Sequence, residues 1–246
     1  MNHHCSILFI LAAAPSLISH ASGADMQPIR GFEIDRTEVT VGAFRRYVEA
    51  TGAKTRAERA GGGSVYEAGW VRKPEWTWRA PFGRPADDDE PAVHITFTEA
   101  QAYCRWAGKR IPTDAEWLEA GYTERRKAPP APLVTGRTYP YPTGESPAGA
   151  NCLEECGPVS VVDRSNLLSR GAGHARVGTT KPGVNGLYDM GANVWEWVDG
   201  AIGSEKRTRG GSWWYGAAQM HRNHEASKPA DTAVVYIGFR CARSLP

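Results

Sequence analysis

The sequence of 246 residues predicts one domain of mixed strand and helix in which irregular chain outweighs regular structure. Three observations carry this. Apolar stripes at helical spacing are few and short, two long stretches (60–91 and 128–147) are rich in Gly, Pro and aromatic residues, and no internal repeat or heptad is present. The length allows a sizeable core but lies near the size at which a single core stops growing. A formal net charge of +2 argues against a nucleic-acid surface. The basic clusters at Arg105 to Arg110 and Glu124 to Lys127 are mixed with acidic groups and read as solvated faces.

Residues 1–24 have the character of a secretory signal peptide, because the apolar run from Ile7 to Ile18 is too short to span a membrane and small residues follow at Ser19 and Ala21 or Ser22 and Ala24. Only His3 and His4, and no Lys or Arg, precede the run; the alternative is an extension without function. The expectation is a domain over 25–246, secreted or periplasmic, with no membrane association after cleavage. Cleavage removes Cys5 and leaves Cys104, Cys152, Cys156 and Cys241, an even count that argues for disulfides in an exported chain. Cys152 and Cys156 enclose only three residues. They form either a short local bridge or a metal or redox site, although no second Cys or His pair stands beside them at metal-ligand spacing.

Loose alternation over Ile29 to Val39 predicts a strand, and Val41, Phe44 and Val48 then recur at helical spacing until Gly52 supplies a stop. The stretch from Ala60 to Pro91, with Asp87, Asp88 and Asp89, predicts a long surface excursion anchored by Trp70, Trp76 and Trp78. A ligand groove is the other use for those tryptophans. Thr98 with Gln101 predicts the start of a second helix that closes at Gly108 and turns Ala100, Cys104 and Ala107 inward; Thr113 with Glu116 predicts the start of a third. From Lys127 to Pro147 no regular structure is expected.

Gly186 to Trp197 concentrates two Trp, one Tyr and two acidic groups, with three glycines within or beside it. Tyr and Trp must bury a large apolar body while their polar tips find partners, and glycines open backbone shapes closed to other residues. This predicts a buried, irregular segment. It resembles the signature of the formylglycine-generating enzyme (sulfatase-modifying factor) family, Gly-Leu-Tyr-Asp-Met, a short spacer, then Gly-Asn-Val-Trp-Glu-Trp. Three further stretches, in family order, are similar to the family's motifs: Gly108 to Trp117, Arg209 to Trp213 and Ile237 to Arg240. The resemblance implies an α+β, C-type-lectin-like fold with little regular secondary structure.

It also implies a bond between Cys104 and Cys241, which sit where the family carries a bridged pair, and a calcium site formed by Asp189, the carbonyls of Ala192 and Val194, and Glu196. Hard oxygen donors on a tight turn suit calcium. Gly191-Ala192 departs from the family's more usual variable residue followed by Gly. The alternative for Asp189 and Glu196 is pairing with Arg or capping of backbone N–H groups. The family's other calcium site would begin near Asn151 and Cys152, with Asp163 downstream, where this sequence departs widely.

In the formylglycine-generating enzymes two cysteines bind copper(I), a soft ion suited to thiolates. The corresponding positions here are Tyr215 and Met220, so formylglycine formation by that route is not expected. Members without the cysteine pair are more similar, among them periplasmic pyoverdine-maturation proteins and iron-dependent sulfoxide synthases. The latter take their metal ligands from a helical domain for which this chain has no room. His221 and His224 are read as metal ligands lacking a third partner, or as ordinary polar groups.

Two functions follow. One is an oxidative modification of a small molecule or protein side chain, in a pocket walled by Tyr215, Met220, His221, Arg222, Trp213 and Trp214, with Tyr and His as acid and base. Its redox metal, if any, and its substrate are not legible. The other is a non-catalytic, calcium-stabilised binding module; fold alone does not choose between them, whereas a concave pocket beside Tyr215 would favour the first.

Overall fold

A computed structural model describes residues 25–162, 168 and 173–245. The expected signal segment, Cys5 and Asp163 therefore lie outside the described residues. In chain order the elements are β1 (Met26–Pro28), β2 (Phe32–Asp35), α1 (Val41–Thr51), α2 (Arg56–Arg59), β3 (Ser64–Tyr66), β4 (Trp70–Arg72), α3 (Phe97–Trp106), α4 (Asp114–Tyr122), β5 (Trp195–Ile202), β6 (Glu205–Arg209), β7 (Ala226–Lys228), β8 (Ile237–Gly238) and β9 (Ala242–Ser244). With 19% helix and 22% strand, irregular chain dominates, and the class is α+β as expected.

The helices form where caps and apolar spacing agree. The Thr40 side chain accepts from Ala43 N at the start of α1, Val41, Phe44 and Val48 are buried, and Gly52 at φ +68 ends it in the left-handed conformation a C-terminal cap requires. Helix α4 opens with the expected box between Thr113 and Glu116. Helix α3 starts two residues before the expected point. Thr96 and Glu99 cap each other's backbone, and the register that buries Phe97, Ala100, Tyr103 and Cys104 follows from that start. Ala107 falls at its end, only partly buried.

The strand expected over 29–39 is instead part of a hairpin. Gly31, at φ +74, turns the chain between β1 and β2, and β2 then pairs antiparallel with β9, with Ile34 opposite Ala242. This three-stranded sheet brings the two ends of the domain together. The larger sheet has the order β7-β6-β5-β8, with β5 antiparallel to β6 and parallel to β8, and β3 and β4 form a separate hairpin. Of the three tryptophans in the surface excursion, Trp76 and Trp78 anchor it in the core, but Trp70 is 56% exposed. It lies on the projecting hairpin and meets Tyr66 edge to face, so that it anchors nothing.

The main core joins α1, α3 and the chain around 234–241 through aromatic packing, with Phe44 edge-on to Trp78 at 5.1 Å and to Phe239 at 6.4 Å. A second cluster lies between α4 and β2. Two of the groups read as solvated are buried: Lys109 donates to Asp35 at 2.5 Å, and Glu124 is held by Arg126. Cys104 and Cys241 are bonded, both fully buried, and tie α3 to the C-terminal segment across a separation of 137 residues. Cys152 and Cys156 are also bonded, across 4. Loop entropy makes the first the greater constraint, about 5 kcal/mol against about 2 kcal/mol. Non-reducing peptide mapping should recover Cys104 joined to Cys241, and replacing both by Ala should lower unfolding stability by several kcal/mol; free thiols at both positions would contradict the pairing.

Candidate functional site

The signature segment reaches β5 through strained turns: Asn185, Asp189, Ala192 and Asn193 all have positive φ, between 52° and 61°. A Cβ on Gly191 would lie 2.4 Å from the Met220 methyl, so glycine leaves room for that side chain, and Ala192 beside it adopts a left-handed conformation at φ +61. Beyond the turn, β5 buries Glu196 beside Arg240. Arg240 Nε and Nη2 each donate to a different Glu196 oxygen at 2.7 Å, and Trp117 Nε1 donates to Glu196 Oε2 at 2.8 Å. Arg240 also donates to the carbonyls of Asp35 and Tyr188 at 3.0 and 2.8 Å.

Asp189 and Glu196 thus have the partners that the alternative reading gave them: Asp189 accepts from Gly178 N at 2.8 Å and Thr180 Oγ1 at 2.6 Å. A third buried carboxylate, Glu38, belongs to the Glu38-Val39-Thr40 stretch, which resembles the family's opening strand and is not among the expected site residues. It accepts from Asn193 Nδ2 at 2.8 Å and from Val194 N at 3.3 Å. Burial, then the fields of Asp189 and Glu196, push the Glu38 carboxyl well above its ordinary value. Burial also raises Asp189. Three buried carboxyl groups therefore lie around one buried guanidinium. Both Glu196 oxygens already face Arg240, so a cation there would share that carboxylate. Among the described residues no group of three or more His, Cys, Asp or Glu side chains is arranged to hold a metal; calcium would depend on Asp189, Glu196 and the carbonyls of Ala192 and Val194.

The segment after Ser212 separates the residues expected to share one pocket. Trp213 and Trp214 are core residues, packed edge to face at 5.3 Å, and Met220 is fully buried. Tyr215 and His221 are half-buried and Arg222 is exposed. Tyr215 meets Trp195 and Tyr236 edge to face at 5.8 and 5.9 Å, while His224 lies over Trp195 at 5.8 Å and His221 packs on Tyr141 at 5.5 Å. Burial, then Arg209 and Lys228, lower the His224 pKa. Each histidine packs against an aromatic partner, and His221 Nδ1 accepts from Asn223 N at 3.2 Å.

The fold brings the second disulfide here, although it lies far upstream in the chain. Leu153 N donates to the Tyr215 carbonyl at 2.9 Å, and Cys156 Sγ lies 3.8 Å from Met220 Sδ. Tyr122 fixes the same point by donating its hydroxyl to the Met220 carbonyl at 2.9 Å. Asn151, beside the bridge, donates to Asn193 Oδ1 at 3.0 Å, linking it to the Glu38 cluster.

A cavity of about 260 Å³ opens at a different place, between α2, the β3–β4 hairpin and the chain from Lys228 to Val234. Arg56, Arg72, Lys228 and Trp70 line it, and no Asp or Glu does. Trp70 thus lines a cavity rather than anchoring the excursion in the core.

The Sulfatase-modifying factor enzyme 1-like domain family matches residues 19–245. The chain is 30% identical to a formylglycine-generating enzyme of Streptomyces coelicolor, covering 87% of this chain and 78% of that protein. It is 29% identical to the inactive C-alpha-formylglycine-generating enzyme 2 of Mus musculus, over 88% of this chain and 76% of that one. The structure of PvdO from Pseudomonas aeruginosa superposes with a TM-score of 0.60 at 22% identity, over 87% of this chain and 80% of that one, a likeness of fold. With the signature segment, the buried Glu196–Arg240 pair and the Cys104–Cys241 bridge in one α+β domain, the chain belongs to the sulfatase-modifying factor family.

Proposed function

We propose that this protein is exported and performs an oxidative modification of a small molecule or protein side chain at the face bearing Tyr215, without paired thiolates at positions 215 and 220. The observation that carries the reading is the state of Tyr215. Tyr215 is half-buried at the edge of a rigid aromatic cluster, at the position where the family resemblance places reactive chemistry, while Met220 is withdrawn into the core. A tyrosine phenol is a group that can donate or accept a proton in such chemistry. His221, half-buried on the same segment, is the second such group.

The binding-module reading has its own support. The cavity lined by Arg56, Arg72, Lys228 and Trp70 lies away from Tyr215, and one relative is named as inactive. The two readings separate by experiment. Purified protein loaded with copper(I) and given oxygen and a peptide bearing Cys-x-Pro-x-Arg should form no aldehyde detectable by mass spectrometry. Aerobic incubation with a panel of thiols, thioethers and phenols should consume oxygen with at least one of them, and Tyr215→Phe should lose that turnover at least tenfold, about 1.4 kcal/mol of barrier. Aldehyde formation that survives Cys152→Ser and Cys156→Ser would overturn the first claim, and an inert panel would favour the binding module.

We further propose that calcium occupies the cluster of Asp189, the carbonyls of Ala192 and Val194, and Glu196, in a structural role. It would supply the positive charge that Glu38, Asp189 and Glu196 lack. The sign of the pH dependence follows from the raised carboxyl groups. The folded state holds protons there that the unfolded chain has released, so without a cation stability falls as pH rises above the ordinary values of 3.8 and 4.5. Calcium should therefore raise Tm, and more at pH 7 than at pH 5, with about 2.7 kcal/mol gained at a hundredfold excess over Kd. Asp189→Ala and Glu196→Ala should each remove the rise. A melting curve indifferent to calcium and chelator at both pH values would show that the carboxylates are structural.

A further inference from the structure

The Cys152–Cys156 loop differs from the other disulfide in three respects. Cys152 is only partly buried where Cys104 and Cys241 are fully buried, so this bridge lies nearer the surface. The loop it closes is short and holds Glu155 at φ +71, a left-handed conformation that a non-glycine residue adopts at a cost and that opening of the ring would release. And a third sulfur is already in place, Met220 Sδ, 3.8 Å from Cys156 Sγ. Strained or exposed disulfides are the labile ones, whereas buried bridges resist reduction.

We propose that Cys152–Cys156 opens reversibly while Cys104–Cys241 stays closed, and that the two thiolates with the Met220 thioether then form a three-sulfur site for a soft monovalent cation. The opening step uses an external dithiol as reductant. Its thiolate attacks the Cys152 sulfur, Cys156 leaves as a thiolate, and the second thiol of the reductant resolves the mixed disulfide, so that two electrons pass to the protein and the reductant leaves as its own disulfide. Binding of the cation displaces the remaining thiol protons.

The donor set selects the ion. Thiolate and thioether ligands favour copper(I)-like soft cations over calcium, magnesium or manganese, which take oxygen. The spacing also fits, since metal–sulfur bonds of about 2.3 Å in a trigonal arrangement put the sulfurs about 4 Å apart. Ala150, Ala192 and Ala217 line the same small cluster, giving the site an apolar wall that limits access by water. The site is separate from the oxidative reading at Tyr215 and does not depend on it.

The test uses the full mature chain. Graded dithiothreitol followed by alkylation and peptide mass spectrometry should label Cys152 and Cys156 at reductant levels that leave Cys104 and Cys241 bonded. The reduced protein should then take one equivalent of copper(I) in competition with a chromogenic copper(I) chelator. Met220→Leu, which conserves volume, should weaken binding by at least the roughly tenfold that loss of an outer-shell partner costs a metal site. Cys152→Ser, at a partly buried position, should abolish it with the circular dichroism unchanged. Simultaneous opening of both disulfides, or a reduced protein that takes no copper(I), would overturn the proposal, and wild-type affinity in Met220→Leu would remove the thioether from the site.

Discussion

The buried pair of Glu196 and Arg240 is the constraint on which the rest of the structure depends. Through two bonds of 2.7 Å it joins β5 to the C-terminal segment, and through Trp117 and the carbonyls of Asp35 and Tyr188 it reaches α4, the end of β2 and the signature turn. Two charges this dry are not a gain over a well-packed apolar pair, but removing one of them leaves the other unsatisfied at about 3 to 5 kcal/mol. The pair therefore enforces one arrangement of segments that have little regular hydrogen bonding of their own. Each segment around it carries strain or charge that only this arrangement accommodates: positive φ at Asp189, Ala192 and Asn193, and the surplus carboxylates of Glu38 and Asp189.

Much of the fold was legible because local signals coincide with tertiary ones. Phe44 and Val48 mark the buried face of α1 and Gly52 its end; Thr113 and Glu116 cap α4 as their spacing implies. The start of α3 was displaced because Thr96-Glu99 and Thr98-Gln101 offer the same pattern two residues apart. Burial of Phe97 decides between them, and that is a tertiary fact. The same holds for Lys109 and Glu124, whose charge placed them outside and whose partners, Asp35 and Arg126, draw them in. Trp70 failed in the opposite sense, since nothing local distinguishes a tryptophan on an exposed hairpin from one in a core.

At the candidate site the sequence named the residues but not their distribution. Contiguity of Trp213 to Arg222 suggested one wall, whereas the chain turns there so that Trp213, Trp214 and Met220 point into the core and Tyr215 and Arg222 do not. The meeting of Met220 with Cys156 joins residues 64 apart and has no local signature. Its trace in the sequence is indirect, in Gly191, whose missing Cβ makes room for the Met220 methyl. Glu38 was passed over because an acidic residue near a strand end ordinarily faces water; here Asn193 and the backbone of Val194 hold it inside.

The central claim, that the Glu196–Arg240 pair holds these segments in one arrangement, is tested most directly by a double-mutant cycle on unfolding in urea. Glu196→Gln, Arg240→Met and the double variant are compared with the wild type under identical conditions. Each single change should cost about 3 to 5 kcal/mol, and the double variant should cost less than their sum by about 2 kcal/mol or more, because the second change removes the charge that the first leaves stranded. Additivity to within about 0.5 kcal/mol would contradict the claim and assign the two residues independent roles.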